Sequence, residues 1–292
     1  MVQAELTQET KALVDNAIAD VGEIATLPEV TVKIIEIVEN PKSTARDLHD
    51  VIKNDPALSA RILKVVNSAF YGLPGQISSI DRAIVLLGLS AVKNIAIAAS
   101  MTHLFTGGAT IDGFSGADVW KHSIGIGVGS RLLSAAQGRP QVEESFLAGL
   151  ISDLGLLVER QLFSSELGEV VGKFQYGGGS FCEIENDIIG ADHQAFGMAL
   201  AKKWRFPQTI CTTIGYHHNP MLLAEVNREL PAIVNVADIL TCKAGIGFAQ
   251  HDKNTEINEE LYTLIKLDAA KVDEILDELP EQVSIAETIF GE

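Results

Sequence analysis

The chain has 292 residues, 47% of them hydrophobic, with 39 acidic against 22 basic side chains and a formal net charge of −17. That length suffices for one large helical domain or two modest ones, each able to bury a core. A surface so acidic repels the phosphate backbone, whose neutralisation by Lys and Arg supplies most sequence-independent nucleic-acid affinity, so broad DNA or RNA binding is excluded. Cys182, Cys211 and Cys242 lie far apart with no CxxC pair, which argues against a disulfide framework or zinc ribbon and fits a reducing cytoplasm. Residues 1–20 mix acids and amides with apolar residues and lack the basic-then-apolar order of a signal peptide. The longest apolar stretches, 83–92 and 95–99, are interrupted by Lys93 and Asn94 and fall short of a membrane span. The expectation is a soluble, cytoplasmic protein.

Apolar spacings of three and four predict a chain of short helices in the first third. Leu27-Pro28 opens one that carries Val32, Ile35 and Val38, and Asn40-Pro41 stops it. Thr44 and Asp47 form a capping box for the next. Asp55-Pro56 supplies an N-cap acceptor and a first-turn proline for a helix over 57–70, which Tyr71-Gly72-Leu73-Pro74-Gly75 then breaks. Within it, Asn67 is unfavourable unless its side chain bonds backbone where helices cross. Ser78 and Asp81 read as a second capping box before 83–87, Gly88 as a left-handed C-terminal cap, and Ser90 as the start of a helix to 103.

Residues 106–116, rich in Gly, Thr and Asp, read as a linker. Further helices are expected over 117–136, 142–160, 183–189, 193–204, 207–217 and 231–243. Nothing calls for a sheet. The triplet Gly177-Gly178-Gly179 lacks the preceding strand of a phosphate cradle, so it reads as a turn, with Ser180 and Glu183 capping the next helix. From 251 to 292 there are twelve acids against three lysines, yet Leu261, Ile265, Val272, Leu276 and Leu279 keep a helical apolar face. The fold class is therefore all-α, a two-lobed helical bundle, divided into residues 1–110, 111–250 and an acidic extension 251–292.

The second block carries potential metal ligands on separate segments: His122, Ser152-Asp153, His193, His217-His218 and Asp238. Divalent metals that cleave phosphate esters take imidazole nitrogen and carboxylate oxygen, and a helical bundle projects such groups inward from facing helices. A central Asp can bridge two ions that together activate water and neutralise the leaving phosphate. Each histidine alone is more simply a hydrogen-bonded core or surface residue, and His49, His103 and His251 are read so. Adjacent helical residues point about 100° apart, so His217 and His218 need not serve one ion.

Up to about residue 249 the sequence resembles the HDOD family, the HD-related output domains. The resemblance rests on Leu27-Pro28, Asp55-Pro56-Ala57-Leu58-Ser59, Val66-Asn67-Ser68-Ala69-Phe70, then Ile77, Ser79-Ile80, Ala83 and Leu87-Gly88. The second half is similar to HD-superfamily metal-dependent phosphohydrolases, including the HD-GYP phosphodiesterases of cyclic dinucleotides. On that resemblance His122 is the first metal ligand and Asp153 the Asp of the His-Asp doublet. His193, His217 and His218 are the later histidines, and Asp238 is the closing carboxylate.

Two departures matter. Ser152 stands where the doublet's His belongs, replacing an imidazole with a hydroxyl that binds transition metals poorly. Leu156 stands where HD-GYP enzymes place a phosphate-contacting Lys, and Asn219-Pro220-Met221 follows the histidine pair instead of Gly-Tyr-Pro. The resemblance thus implies a bacterial signal-transduction module that binds a protein partner or a small ligand such as a nucleotide, with no catalytic residues. No cofactor is fixed by the resemblance, but the remaining ligands, His193, His217, His218 and Asp238 with Asp153, leave room for a single divalent ion, iron, manganese, nickel or zinc, as a structural or sensory site. The alternative is a metal-dependent phosphohydrolase using all six ligands.

Overall fold

The computed structural model describes residues 7–22, 27–40, 42–105, 111–176, 179–248 and 256–290. The helices are α1 (Gln8–Asp20), α2 (Glu29–Glu39), α3 (Ala45–Ile52), α4 (Pro56–Val66), α5 (Ile80–Leu87), α6 (Leu89–Met101) and α7 (Gly116–Ala136). There follow α8 (Val142–Leu150), α9 (Leu154–Leu162), α10 (Ser164–Tyr176), α11 (Phe181–Ile188), α12 (His193–Lys203) and α13 (Gln208–Tyr216). Last come α14 (Glu229–Lys243), α15 (Glu259–Ile265) and α16 (Ala269–Phe290). Among the described residues the one β-type pairing is an isolated bridge between Ile111 and Phe114, so the fold is all-α. No described helix is long and apolar enough to cross a membrane.

Capping chemistry fixes many boundaries. Thr44 with Asp47 and Ser180 with Glu183 form complete capping boxes, and Asp55 accepts from Leu58 N ahead of Pro56. Before α5 the cap is Ser79, not Ser78, and it accepts from Arg82 N. Gly88 takes a positive φ of 89° between α5 and α6. Helix α4 stops at Val66, short of the expected residue 70, because Asn67 caps it. The Asn67 Nδ2 donates to the Leu63 and Ile77 carbonyls, both at 2.8 Å, and its Oδ1 accepts from Ile77 N at 2.6 Å. The linker expected at 106–116 falls at 106–110 outside the described residues, as do Gly177, Gly178 and His251.

Two further expectations change. The helix anticipated over 142–160 is two, α8 and α9, separated by a turn at Ile151, Ser152 and Asp153. Helix α10 is an addition to the expected set, and Leu167, Val170, Val171 and Phe174 give it a buried i, i+3, i+4, i+7 stripe.

Helices α2 to α6 pack on one another, and α6 lies against α8. In the rest of the molecule α7 is central, meeting α8, α14 and α16, and most of its residues from Val119 to Ser130 are buried. Helix α12 is flanked by α9, α13 and α1. The acidic C-terminal segment is an integral layer: Trp120 Nε1 and Thr102 Oγ1 both donate to the Phe290 carbonyl, and the Phe290 ring lies 5.5 Å from that of Phe146.

Candidate metal centre

Two close helix contacts assemble the site. Gly129 on α7 faces Ala237 on α14 so tightly that a Cβ there would lie 3.1 Å from the Ala237 Cβ, and this approach brings His122 to Asp238. Gly155 on α9 abuts the start of α12, where a Cβ would lie 1.8 Å from the His193 carbonyl oxygen. Asp153, in the turn just before α9, is thereby set against His193. His217 and His218 follow directly on α13, His217 as its C-cap with helical dihedrals. Their rings sit 4.1 Å apart, and both face the same group of ligands.

Asp153, His193, His217 and His218 each place one donor atom within 4.8 Å of all the others. The first three are fully buried and His218 is partly so. Asp153 Oδ1 lies 3.4 Å from His217 Nε2 and 3.8 Å from His193 Nε2, and the Nε2 atoms of His193 and His218 are 3.1 Å apart. A second set joins His122, Asp238 and Cys242 under the same separation. His218 links the two, its Nδ1 being 3.6 Å from Asp238 Oδ2. The six residues singled out in the sequence thus converge, but as two adjoining sets, with Asp238 grouped with His122.

The outward nitrogens define the inward ones. His122 Nδ1 lies 3.0 Å from the Ile246 carbonyl and His217 Nδ1 2.9 Å from the Ile214 carbonyl. A carbonyl oxygen only accepts, so each Nδ1 carries the hydrogen. His193 Nδ1 meets both carboxyl oxygens of Glu185, at 2.9 and 2.8 Å, while the His193 amide donates to Glu185 Oε2. In the neutral rings the lone pairs of all three Nε2 atoms therefore point at Asp153 or Asp238. Either a second proton on the ring or a metal ion would satisfy a nitrogen facing a buried carboxylate, and metal-bound histidines are held by this same outer bond. His217 Nε2 itself makes no hydrogen bond among the described residues. The donor set of imidazole and carboxylate fits a divalent transition metal and not calcium.

Electrostatics behind His193 are unusual. Burial by itself would depress its pKa, but Glu185, Asp153 and Asp192 more than reverse this and raise it. Glu159, fully buried on α9, is held well above the ordinary carboxyl range by burial and by the neighbouring Glu185. The Cys182 thiol is likewise pushed up by burial and by Glu185. Glu185 lies outside the set singled out in the sequence, where nothing sets it apart from Glu183 and Asp187, the exposed acids of the same helix.

A family model of the HDOD domain matches residues 24–220. The chain belongs to the HDOD domain family. An HDOD domain protein of unknown function from Geobacter sulfurreducens superposes with a TM-score of 0.82 at 24% identity, over 97% of this chain and 98% of its own. A Shewanella amazonensis SB2B protein, provisionally named a phosphohydrolase, gives 0.74 at 21% identity over 96% and 98%. One from Marinobacter aquaeolei VT8, provisionally named for signal transduction, gives 0.77 at 22% identity over 97% and 66%. An uncharacterized protein of Treponema pallidum (strain Nichols) is 28% identical over 246 residues, covering 80% of this chain. The HDOD chain spans only 45% of that relative's length.

The departures from the hydrolase pattern have a structural form in this HDOD chain. Ser152 is buried and its Oγ donates to the Gly149 carbonyl at 2.9 Å, so the hydroxyl is bonded to its own turn. Leu156 is fully buried in the apolar core. Pro220–Leu222 forms a single 3-10 turn after the histidine pair.

Proposed function

We propose that this HDOD protein is a bacterial, cytoplasmic signal-transduction module whose HD-like part, residues 111–250, holds a divalent transition metal at Asp153, His193, His217 and His218. In this reading the protein is regulatory and not catalytic. It binds a signalling partner or a small nucleotide-like ligand, and residues 1–110 contribute interaction surface. The observation that carries the metal assignment is the set of pinned imidazoles: Nδ1 of His193 and His217 is bonded outward, leaving Nε2 directed at Asp153. Iron, manganese, nickel or zinc suits such nitrogen and oxygen donors.

What supports a non-catalytic role is the loss of two groups that phosphate-ester cleavage uses. The Ser152 hydroxyl is engaged with Gly149, and no cation is present at Leu156 to offset charge in the transition state. The signal-transduction name of the Marinobacter fold neighbour points the same way. A metal-dependent phosphohydrolase is the second reading, favoured by the name of the Shewanella neighbour and by the six converging ligands.

Elemental analysis of the purified protein tests the centre. Wild type is expected to carry a stoichiometric transition metal, and Asp153→Asn and His217→Ala to lose it while keeping their helical circular dichroism. Wild type that stays metal-free after incubation with manganese, iron, nickel and zinc would refute the assignment.

A further inference from the structure

We infer that the cavity walled by α2 and α6 on one side and by α8 and the start of α13 on the other binds a medium-chain aliphatic carboxylate, its acid group held by Lys93 and the N-terminus of α6. The cavity shares no lining residue with the metal centre, so the inference stands whether or not an ion binds there. Its volume is about 490 Å³, within the range of small-molecule sites. Ile35, Leu89, Ile97, Val142, Leu147 and Ile210 give it an aliphatic lining, and Phe206 is the one aromatic ring among the described residues there.

Lys93 is the one cation in this lining among the described residues. It is only 7% exposed, and its Nζ donates to the Ile37 carbonyl at 3.1 Å. An ammonium carries three hydrogens, so that bond leaves two donors unused, and no carboxylate among the described residues pairs with the charge. Burying a charge unpaired is costly, and burial lowers the Lys93 pKa for that reason. A carboxylate in the cavity supplies both the missing charge and the missing acceptors. Side chains on a helix lean toward its N-terminus, which carries Lys93 toward the first turn of α6. There the amides of Leu89, Ser90 and Ala91 have no helical acceptor, since Val92 N is the first to bond, to the Gly88 carbonyl, and no side chain caps the helix. These three residues also line the cavity, and the helix end adds about half a positive charge.

The opposite wall limits the ligand to a single negative charge. Glu143 and Glu144, at the start of α8, both line the cavity; the first is engaged by Tyr71 and Arg131 and the second by Thr209. They repel a polyanion from this cavity, whereas a monocarboxylate meets Lys93 with its head and the aliphatic lining with its tail. Gly88, Ser90 and Gln141 are exposed at the rim, so the ligand enters between the N-termini of α6 and α8. Bound there it ties α6 to α8 and α13, coupling the level of the ligand to the packing of these helices.

Titration calorimetry of the full chain with octanoate, and with octanol as its uncharged counterpart, tests this. Wild type is expected to bind one octanoate per chain, about tenfold or more tighter than octanol, the difference made by a charged hydrogen bond, and to melt at a higher temperature in its presence. Lys93→Met should keep the wild-type circular dichroism and lose that preference, binding both ligands alike. Val142→Trp, which fills the cavity from its half-buried wall, should bind neither. Octanoate held no tighter than octanol by wild type, a preference that survives Lys93→Met, octanoate binding undiminished by Val142→Trp, or no saturable binding at millimolar concentration overturns the inference.

Discussion

His122, His193 and His217 share one device: an acceptor outside the site takes the Nδ1 hydrogen and so turns Nε2 inward. Each acceptor comes from a different place, the Ile246 carbonyl after α14, the Glu185 side chain on α11 and the Ile214 carbonyl within α13. Behind Glu185 sits Glu159, whose carboxyl burial and the Glu185 charge hold protonated above its usual range. The folded chain thus binds a proton that the unfolded chain has released, so stability falls as pH rises above the ordinary carboxyl range. Glu159→Gln removes that dependence. Its melting temperature is expected to exceed wild type at pH 8, with the gap narrowing toward pH 5. Equal curves at both pH values, followed by thermal circular dichroism, would show that Glu159 carries no such penalty.

At the level of elements, the site depends on helices brought closer than ordinary side chains allow. Gly155→Ala would drive a methyl group into the His193 carbonyl and force α9 from α12, at a cost of roughly 3 kcal/mol or more. The variant is expected to melt well below wild type and to lose its metal; a variant with wild-type metal content would show the helix contact to be slack. Asn67 plays a smaller part, tying the end of α4 to the segment before α5 through three bonds. Asn67→Ala should cost about 1–2 kcal/mol, a few degrees of melting temperature, because the residue is exposed and water replaces part of the loss.

Helix boundaries set by local chemistry are legible in the sequence. Thr44 with Asp47, Asp55 with Pro56 and Ser180 with Glu183 cap as their spacing predicts. The turn at Ile151, Ser152 and Asp153 is not legible, because apolar residues run on both sides of it with no proline to mark the break. Helix α10 has a sequence signal of its own in the stripe of Leu167, Val170, Val171 and Phe174, and Ser164, Ser165 and Glu166 stand at its start. As for the site, spacing alone leaves each histidine ambiguous, and the family resemblance supplies the set. Glu185 escapes because its partner His193 lies across a turn, eight residues further on.

Over the whole molecule, α7 joins the parts: it carries His122, packs on α8 and α14, and receives α16. The C-terminal acidic layer is fastened through Trp120, two residues before that ligand on the same helix. The excess of acidic side chains keeps the surface unsuited to polyanions. The family's fold is thus retained, with Ser152 bonded into its own turn and Leu156 buried in the core.

The most direct test of that account is turnover. Protein loaded with manganese or zinc would be incubated with cyclic dinucleotides and with bis(p-nitrophenyl) phosphate, beside Asp153→Asn as background. The account predicts the same product release from both. Multiple turnovers by the wild type that vanish in Asp153→Asn would contradict it and make the protein a phosphodiesterase.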